Sequence, residues 1–398
     1  MASIYSDNVN NVFPAFHALK IGLSNTSSKT KTLLPADVFV ASYLASDQRI
    51  DGNIHLVVDT KMCDFMTDEQ VPAVVDSIIK AAQDGAATVH TISIRNHRVA
   101  NAGAASLAKL IPKTVFEEGE EKLEGTHNVG LEVLDLGGND IEAEGCKAIC
   151  EAISKNNKLR ELNLSHNPLG RNGGYAVAEM LEENVGLTNL NCGSADLRMD
   201  NVIAIMSVMR RNEMIERLFI SNCRTFSLQE DLAAQTTRML EFNSTLVELN
   251  FESNNVGDEG AVLFASVLER KNTTLRVLSL ATNHIGVRGA EALASSLMRR
   301  TNLVSLSLSN NRIGNEGAKA FGAALARINT LKSLDLRYNS VGDEGLVEVA
   351  YGVQENSSLS ELKLWGNDFQ MGVASEFLGL LQNRFSYFGV CDLISGRS

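Results

Sequence analysis

The chain has 398 residues, with 36 Lys and Arg against 48 Asp and Glu, a net charge of −12 and a pI near 5.2. That balance argues against a nucleic-acid backbone or an anionic membrane as the main partner, and no apolar run approaches the roughly 18 residues that a spanning helix needs. Six cysteines in no framework spacing, and an N-terminus without a basic region followed by an apolar run, point to a soluble, cytoplasmic protein in a reducing compartment.

Residues 1–53 carry no repeat and read as an N-terminal extension or cap. Ser24 to Lys31 is a flexible polar segment, and Val12 to Ala18 and Val38 to Leu44 are apolar enough to cover an open core. His55 to Asp59 followed by Gln70 to Ala82 looks like a degenerate strand–helix unit, and Val89 opens a second degenerate copy. An acidic insertion follows at 112–128, where Glu117, Glu118, Glu120, Glu121 and Glu124 outweigh Lys113 and Lys122. We expect a solvated loop there, with a docking site for a basic partner as the alternative.

From Leu131 the chain repeats L-x-x-L-x-L-x-x-N, then an apolar residue, a Gly and an Ala/Leu-rich stretch. The anchors are Leu131, Leu159, Leu187, Ile215, Leu246, Leu275, Leu303, Leu331 and Leu359, spaced 28, 28, 28, 31, 29, 28, 28 and 28 residues apart. In the copy at Leu275, the alternation through Leu278 and Leu280 suits a short strand with one buried face. Ala290, Leu293, Ala294, Leu297 and Met298 then form one apolar stripe on a helix. Units in series joined by helical crossovers must lay their strands parallel. Helices are about 10 Å wide and strands pair about 4.8 Å apart, so the stack curves with its strands inside. The expected fold is α/β: a solenoid, or horseshoe, of about ten repeats with an inner parallel sheet and outer helices over 54–383, and a C-terminal tail or cap over 384–398.

These motifs resemble the ribonuclease-inhibitor class of leucine-rich repeats, found also in Ran GTPase-activating proteins, in innate immune sensors and in some axonemal proteins. Seven copies keep Asn at the ninth position: Asn139, Asn167, Asn254, Asn283, Asn311, Asn339 and Asn367. We expect these to form a hydrogen-bonded ladder with neighbouring backbone. His97 takes that position in its own copy.

No catalytic constellation emerges. There is no Gly-Lys dipeptide, hence no phosphate-binding loop, and no H-E-x-x-H, C-x-x-C or G-x-S-x-G. Cys146 and Cys150 replace Ala290 and Ala294 of the Leu275 copy and read as core residues rather than metal ligands. We expect no metal, no cofactor and no small-molecule substrate.

Function is sought on the concave face, where strand positions three, five and seven alternate with buried anchors. Most of positions five and seven is small and polar, with two departures. At the C-terminal end Arg337, Tyr338, Lys363 and the lone tryptophan, Trp365, fall on adjacent strands, and such residues dominate interface energies. Alternatively Trp365 packs beneath the tail, against Phe385 or Tyr387. In the middle the Asn ladder fails at Ala195 and Cys223, the repeat from Ile215 is long, and Phe219 is the one aromatic at position five. A contact site and simple repeat drift both account for this.

The leading expectation is a non-enzymatic scaffold for protein–protein interaction, a structural component of a cytoskeletal or ciliary axonemal assembly. The rival is a GTPase-activating protein for a Ran-like GTPase. For that the resemblance implies an edge-loop Asn, nearest to Asn254-Asn255-Val256-Gly257, although the family's Gly-Pro signature and acidic tail are missing.

Overall fold

The computed structural model describes residues 53–58, 65–83, 88–117, 120–124, 130–224, 229–299, 301–370, 372–375, 377 and 390–392, all within one compact unit, Pro35–Ser398. The N-terminal cap segments and Phe385, Tyr387 and Phe388 lie outside the described residues.

Strand and helix alternate along the chain. They run β1 (Asn53–Val58), α1 (Val71–Gln83), β2 (Thr88–Ile94), α2 (Asn101–Ala108), β3 (Lys113–Glu117), β4 (Glu120–Glu124), β5 (Val133–Asp135) and α3 (Ala143–Ser154). Then come β6 (Glu161–Asn163), α4 (Gly170–Glu183), β7 (Asn189–Asn191), α5 (Met199–Met209), β8 (Arg217–Phe219), α6 (Gln229–Phe242), β9 (Glu248–Asn250) and α7 (Asp258–Arg270). The last are β10 (Val277–Ser279), α8 (Val287–Leu297), β11 (Ser305–Ser307), α9 (Gly314–Leu325), β12 (Ser333–Asp335), α10 (Asp343–Glu355), β13 (Glu361–Lys363) and β14 (Val390–Asp392).

Apart from β3 and β4 the strands form one unclosed 12-stranded sheet in chain order. From β5 to β13 every pair is parallel and in repeat register, with Leu134 beside Leu162 and Leu334 beside Leu362. The fold is a repeat solenoid with an inner sheet and outer helices. From β5 onward the strands are three residues long, and in each repeat from β5 to β13 the middle leucine and the apolar residue two positions after it are buried. The helices close that core with the expected stripe: α8 buries Ala290, Leu293, Ala294 and Leu297. Each packs on the helix before and after it. A fully buried Leu contributes about 1.5–3 kcal/mol, and each repeat supplies several.

Polar contacts set the stacking. The position-nine ladder is present: Asn167 Nδ2 donates to Leu136 O and Leu164 O (2.9 and 3.1 Å), and its Oδ1 accepts the Ile141 N–H at 3.1 Å. Asn139, Asn283, Asn311 and Asn367 bridge consecutive repeats in the same way. His97 performs the same task with an imidazole, since Nδ1 accepts the Met66 N–H (2.9 Å) and Nε2 donates to Val58 O (3.0 Å). That pattern fixes the neutral tautomer protonated on Nε2.

A second ladder runs along the opposite edge, three residues before the anchors. Asn184 Nδ2 donates to Ile153 O and Asn156 O, and its Oδ1 accepts from Gly186 and Leu187; Asn243, Asn272 and Asn356 repeat the arrangement. Helix starts are capped across repeats. Gly286 precedes α8 without a capping side chain of its own, and Asp258 of α7 accepts the Gly286 and Gly289 N–H groups at 2.7 and 2.9 Å. Gly289 permits this, because a Cβ there would lie 2.8 Å from Asp258 Oδ1. Asn315 and Asn101 cap α10 and α3 in the same manner.

The acidic insertion corrects an expectation. It is an antiparallel hairpin, β3 with β4, pairing Lys113 with Glu124 and Glu117 with Glu120, and not a structureless loop. Thr114, Val115 and Phe116 favour extended backbone whatever the charge around them. Its base is pinned to the next repeat by Thr114 N–H to Lys155 O (2.7 Å) and Thr114 Oγ1 to Asn157 Oδ1 (2.8 Å).

Candidate interaction surface

Strand alternation carries positions three, five and seven onto the inner face, where the small side chains foreseen at positions five and seven are interleaved with carboxylates. Asp135 is 2% exposed and accepts the Gly137 N–H (3.0 Å) and the Asn163 amide (2.7 Å). Burial lifts its carboxyl above the ordinary range in spite of Arg95 at 3.8 Å and those donors. Burial likewise raises Glu161, opposed by Arg217 and by the Asn189 amide at 2.9 Å, and Glu248, opposed by Arg217 at 3.7 Å. Glu252 is raised by burial and by Asp335, against the Ser279 hydroxyl at 2.7 Å, Asn250 and Arg337. Two of these acids, Glu161 and Glu248, sit at position three, as does Glu361 further on, and the sequence shows that position as plainly as the other two.

At the C-terminal end the four residues singled out from the sequence do come together. Asp335 on β12 lies in register with Lys363 on β13. Arg337 grips Asp335 bidentately, Nε to Oδ1 at 3.0 Å and Nη2 to Oδ2 at 2.7 Å, and Lys363 pairs with Glu361 at 3.0 Å. Burial pulls the Glu361 carboxyl up, but the Ser333 hydroxyl at 2.5 Å, Lys363 and Arg337 outweigh it and leave it below the usual range. Above these pairs the Tyr338 and Trp365 rings meet edge to face, centroids 4.8 Å apart and planes at 81°. All four side chains are half-buried.

Tyr338 has φ +53. Every residue at position eight, from Asn96 to Gly366, adopts this left-handed conformation as the chain leaves its strand. A bulky ring there is unfavourable, and it is accommodated because Gly366 leaves the space the ring occupies.

The middle of the array differs from expectation. Phe219 is only 5% exposed, so it does not stand open as an aromatic contact; its strand places it between Asn191 and Asn250 in register. Where Asn is missing, Ala195 and Cys223 are buried, and burial pushes the Cys223 thiol up to about 12. Leu169 N–H, which an Asn at 195 would have reached, bonds instead to Asn167 O at 2.9 Å. Beside this break an open depression of about 590 Å³ is lined by Ser194, Asp196, Asn222, Cys223, Arg224, Ser253 and Asn255, and Arg224 is ion-paired with Asp196.

Cys146 and Cys150 are buried core residues, as their alignment implied, and no cluster fit to hold a metal occurs among the described residues. Nor, among them, is any helix long and apolar enough to cross a membrane.

A family model described as a leucine-rich repeat matches residues 127–150, 155–178, 242–265, 271–294, 300–322 and 327–350. The repeats are leucine-rich repeats. The unmatched stretch between the second and third segments holds the two copies that lack the position-nine Asn. No curated protein matches the chain. Solved structures similar to this leucine-rich-repeat chain include the actin-binding site 2 of leiomodin-1, at 25% identity over 32% of this chain and 75% of that one, TM-score 0.26. The Rad7–Elc1 complex of yeast is 14% identical over 79% and 85%, TM-score 0.43. An internalin of Listeria monocytogenes is 15% identical over 98% of both chains, TM-score 0.38.

Proposed function

We propose that this leucine-rich-repeat chain is a non-enzymatic scaffold that holds a protein partner at the C-terminal end of its inner face. The observation behind this reading is the half-exposed Tyr338–Trp365 pair above Arg337 and Lys363. Each cation is already held by a neighbouring acid. The aromatics therefore sit on a pre-ordered polar floor and lose little freedom on binding. Phe219 is left out because it is buried. The setting we propose is a cytoskeletal assembly such as a ciliary axoneme, on the resemblance of the repeats alone. Proximity labelling with the wild-type chain and with Trp365→Ala tests both points. The expected result is cytoskeletal or axonemal partners that are lost from the variant; an unchanged set, or recovery of only a small GTPase, refutes the reading.

One observation favours a second reading. Asn255 and Arg224 line the same open depression, an arrangement compatible with contact to a GTPase. Single-turnover GTP hydrolysis by Ran, with the wild-type chain and with Asn255→Ala, tests it: activation that the variant loses supports the GTPase-activating role, and no activation removes it.

A further inference from the structure

The chain matches the N-glycosylation sequence Asn-x-Ser/Thr at Asn25, Asn163, Asn243, Asn272 and Asn356. Such acceptors ordinarily lie on exposed loops. The four among the described residues do not: Asn163 is 0% exposed, and Asn243, Asn272 and Asn356 are 5%, 4% and 4% exposed.

Their amide nitrogens, the atoms to which a glycan would be joined, are already committed to the preceding repeat. Asn243 Nδ2 donates to Met209 O and Asn212 O at 2.8 and 3.0 Å, and Asn356 Nδ2 to Leu325 O and Ile328 O at 2.7 and 2.8 Å. Asn272 Nδ2 reaches Leu240 O at 2.9 Å, and Asn163 Nδ2 the Asp135 carboxylate at 2.7 Å. The hydroxyl two residues on serves the same contact at two of the sites, since Thr245 Oγ1 donates to Asn212 O at 3.2 Å and Ser358 Oγ to Leu331 O at 2.9 Å. Here Asn-x-Ser/Thr is a stacking element that coincides with a glycan signal. Glycan transfer from a lipid-linked diphosphate donor would join Nδ2 to the anomeric carbon of the sugar, with one amide hydrogen leaving as a proton and the lipid diphosphate as the leaving group. The repeat would lose a donor hydrogen, and the sugar would have to fit between neighbours packed at interior density.

We propose that this fold forms only where N-linked glycans are not attached, so that the chain matures outside the secretory pathway. The test expresses the full chain in the same animal cells with and without a cleavable secretory signal, with Ser27→Ala in both to silence Asn25. The signal-bearing chain should gain glycans at the four buried sites, read as a mobility shift that a glycosidase reverses. It should also lose the protease resistance of the signal-free chain. Blocking synthesis of the lipid-linked donor should restore that resistance. So should Ser165→Ala, Thr245→Val, Thr274→Val and Ser358→Ala together, which keep every Asn; the Ser165 and Thr274 hydroxyls have no hydrogen-bond partner among the described residues. The same variant without the signal reports whether it folds at all, and the donor block decides the matter if it does not. A signal-bearing chain as protease-resistant as its signal-free counterpart, glycosylated or not, overturns the proposal, as does one that stays sensitive when the donor is withheld.

Discussion

Asn167→Ala is the sharpest test of what holds consecutive repeats together. Truncation removes the acceptor of the Ile141 N–H and the donor to Leu164 O. Leu136 O loses one donor but keeps another in Asn139 Nδ2 at 2.9 Å. Two buried backbone groups are thus left without a partner at about 1–3 kcal/mol each, and the lost amide leaves a small void, for a total of about 3–5 kcal/mol. For a chain of 398 residues, at about 2.1 cal/mol/K of unfolding entropy per residue, that lowers the melting temperature by about 4–6 °C. Stability in such arrays resides in neighbouring interfaces, so the loss should concentrate locally. Hydrogen exchange should show the Ile141 amide losing far more protection than amides of β12. The control is Asn172→Ala on the exposed face of α4, where Ala is the better helix former and the change should be neutral or slightly favourable. A loss under about 1 kcal/mol for Asn167→Ala, or equal effects at both sites, would refute the argument.

Four further outcomes follow from the same geometry. His97→Asn should be nearly neutral while His97→Ala unfolds at clearly lower urea, because only the former restores an acceptor for Met66 N–H and a donor for Val58 O. Glu252→Gln should flatten the pH dependence of stability. The folded-state pKa lies above the ordinary 4.5, so ionisation costs stability at neutral pH and that cost is relieved as pH falls through the raised value toward 4.5; urea midpoints at pH 7 and pH 5 should therefore lie closer together in the variant than in the wild type, the other raised acids keeping part of the difference. Gly366→Ala places a Cβ inside the space of the Tyr338 ring at a residue with φ +78, and the emission of Trp365, the chain's single tryptophan, should shift to the red; unchanged emission counts against the pairing described. Replacing 113–124 by a short linker should leave cooperative unfolding in place at a cost of about 1–3 kcal/mol, since the hairpin adds no strand to the large sheet and the Thr114 hydrogen bonds at its base are lost.

The period of the anchors made most of this architecture legible, because each leucine spacing encodes one strand and one crossover. The position-nine ladder was equally readable, since a recurring amide beside buried leucines has backbone as its natural partner. The second ladder is also written in the sequence, as an Asn three residues before Leu159, Leu187, Ile215, Leu246, Leu275 and Leu359. It escapes notice when each repeat is read as beginning at its leucine. Position eight was opaque for a physical reason: its left-handed backbone is imposed by the turn, and Asn, His, Ser, Thr and Tyr all occupy it. The hairpin was misread because its glutamates signal solvation, whereas its backbone pairing depends on Thr114, Val115 and Phe116. Phe219 was misplaced because strand parity tells which face a residue takes and not how far its surroundings bury it.

The two ladders and the cross-repeat caps also explain where function can reside. They satisfy the backbone at both edges of the sheet with side chains outside positions three, five and seven, so the backbone does not depend on the inner-face side chains. Where inner-face residues still bond across strands, as Asn163 does with Asp135, the surface is buried and committed. At the C-terminal end the pairing falls mainly within one strand and its exit, Arg337 with Asp335 and Lys363 with Glu361. A substitution at Lys363 then touches an ion pair within its own strand, whereas one at Trp365 removes a ring contact with Tyr338 of the preceding repeat. Freedom to vary without unfolding is what a partner-specific surface requires, and it supports the proposal that the recognition residues lie at this end of the sheet.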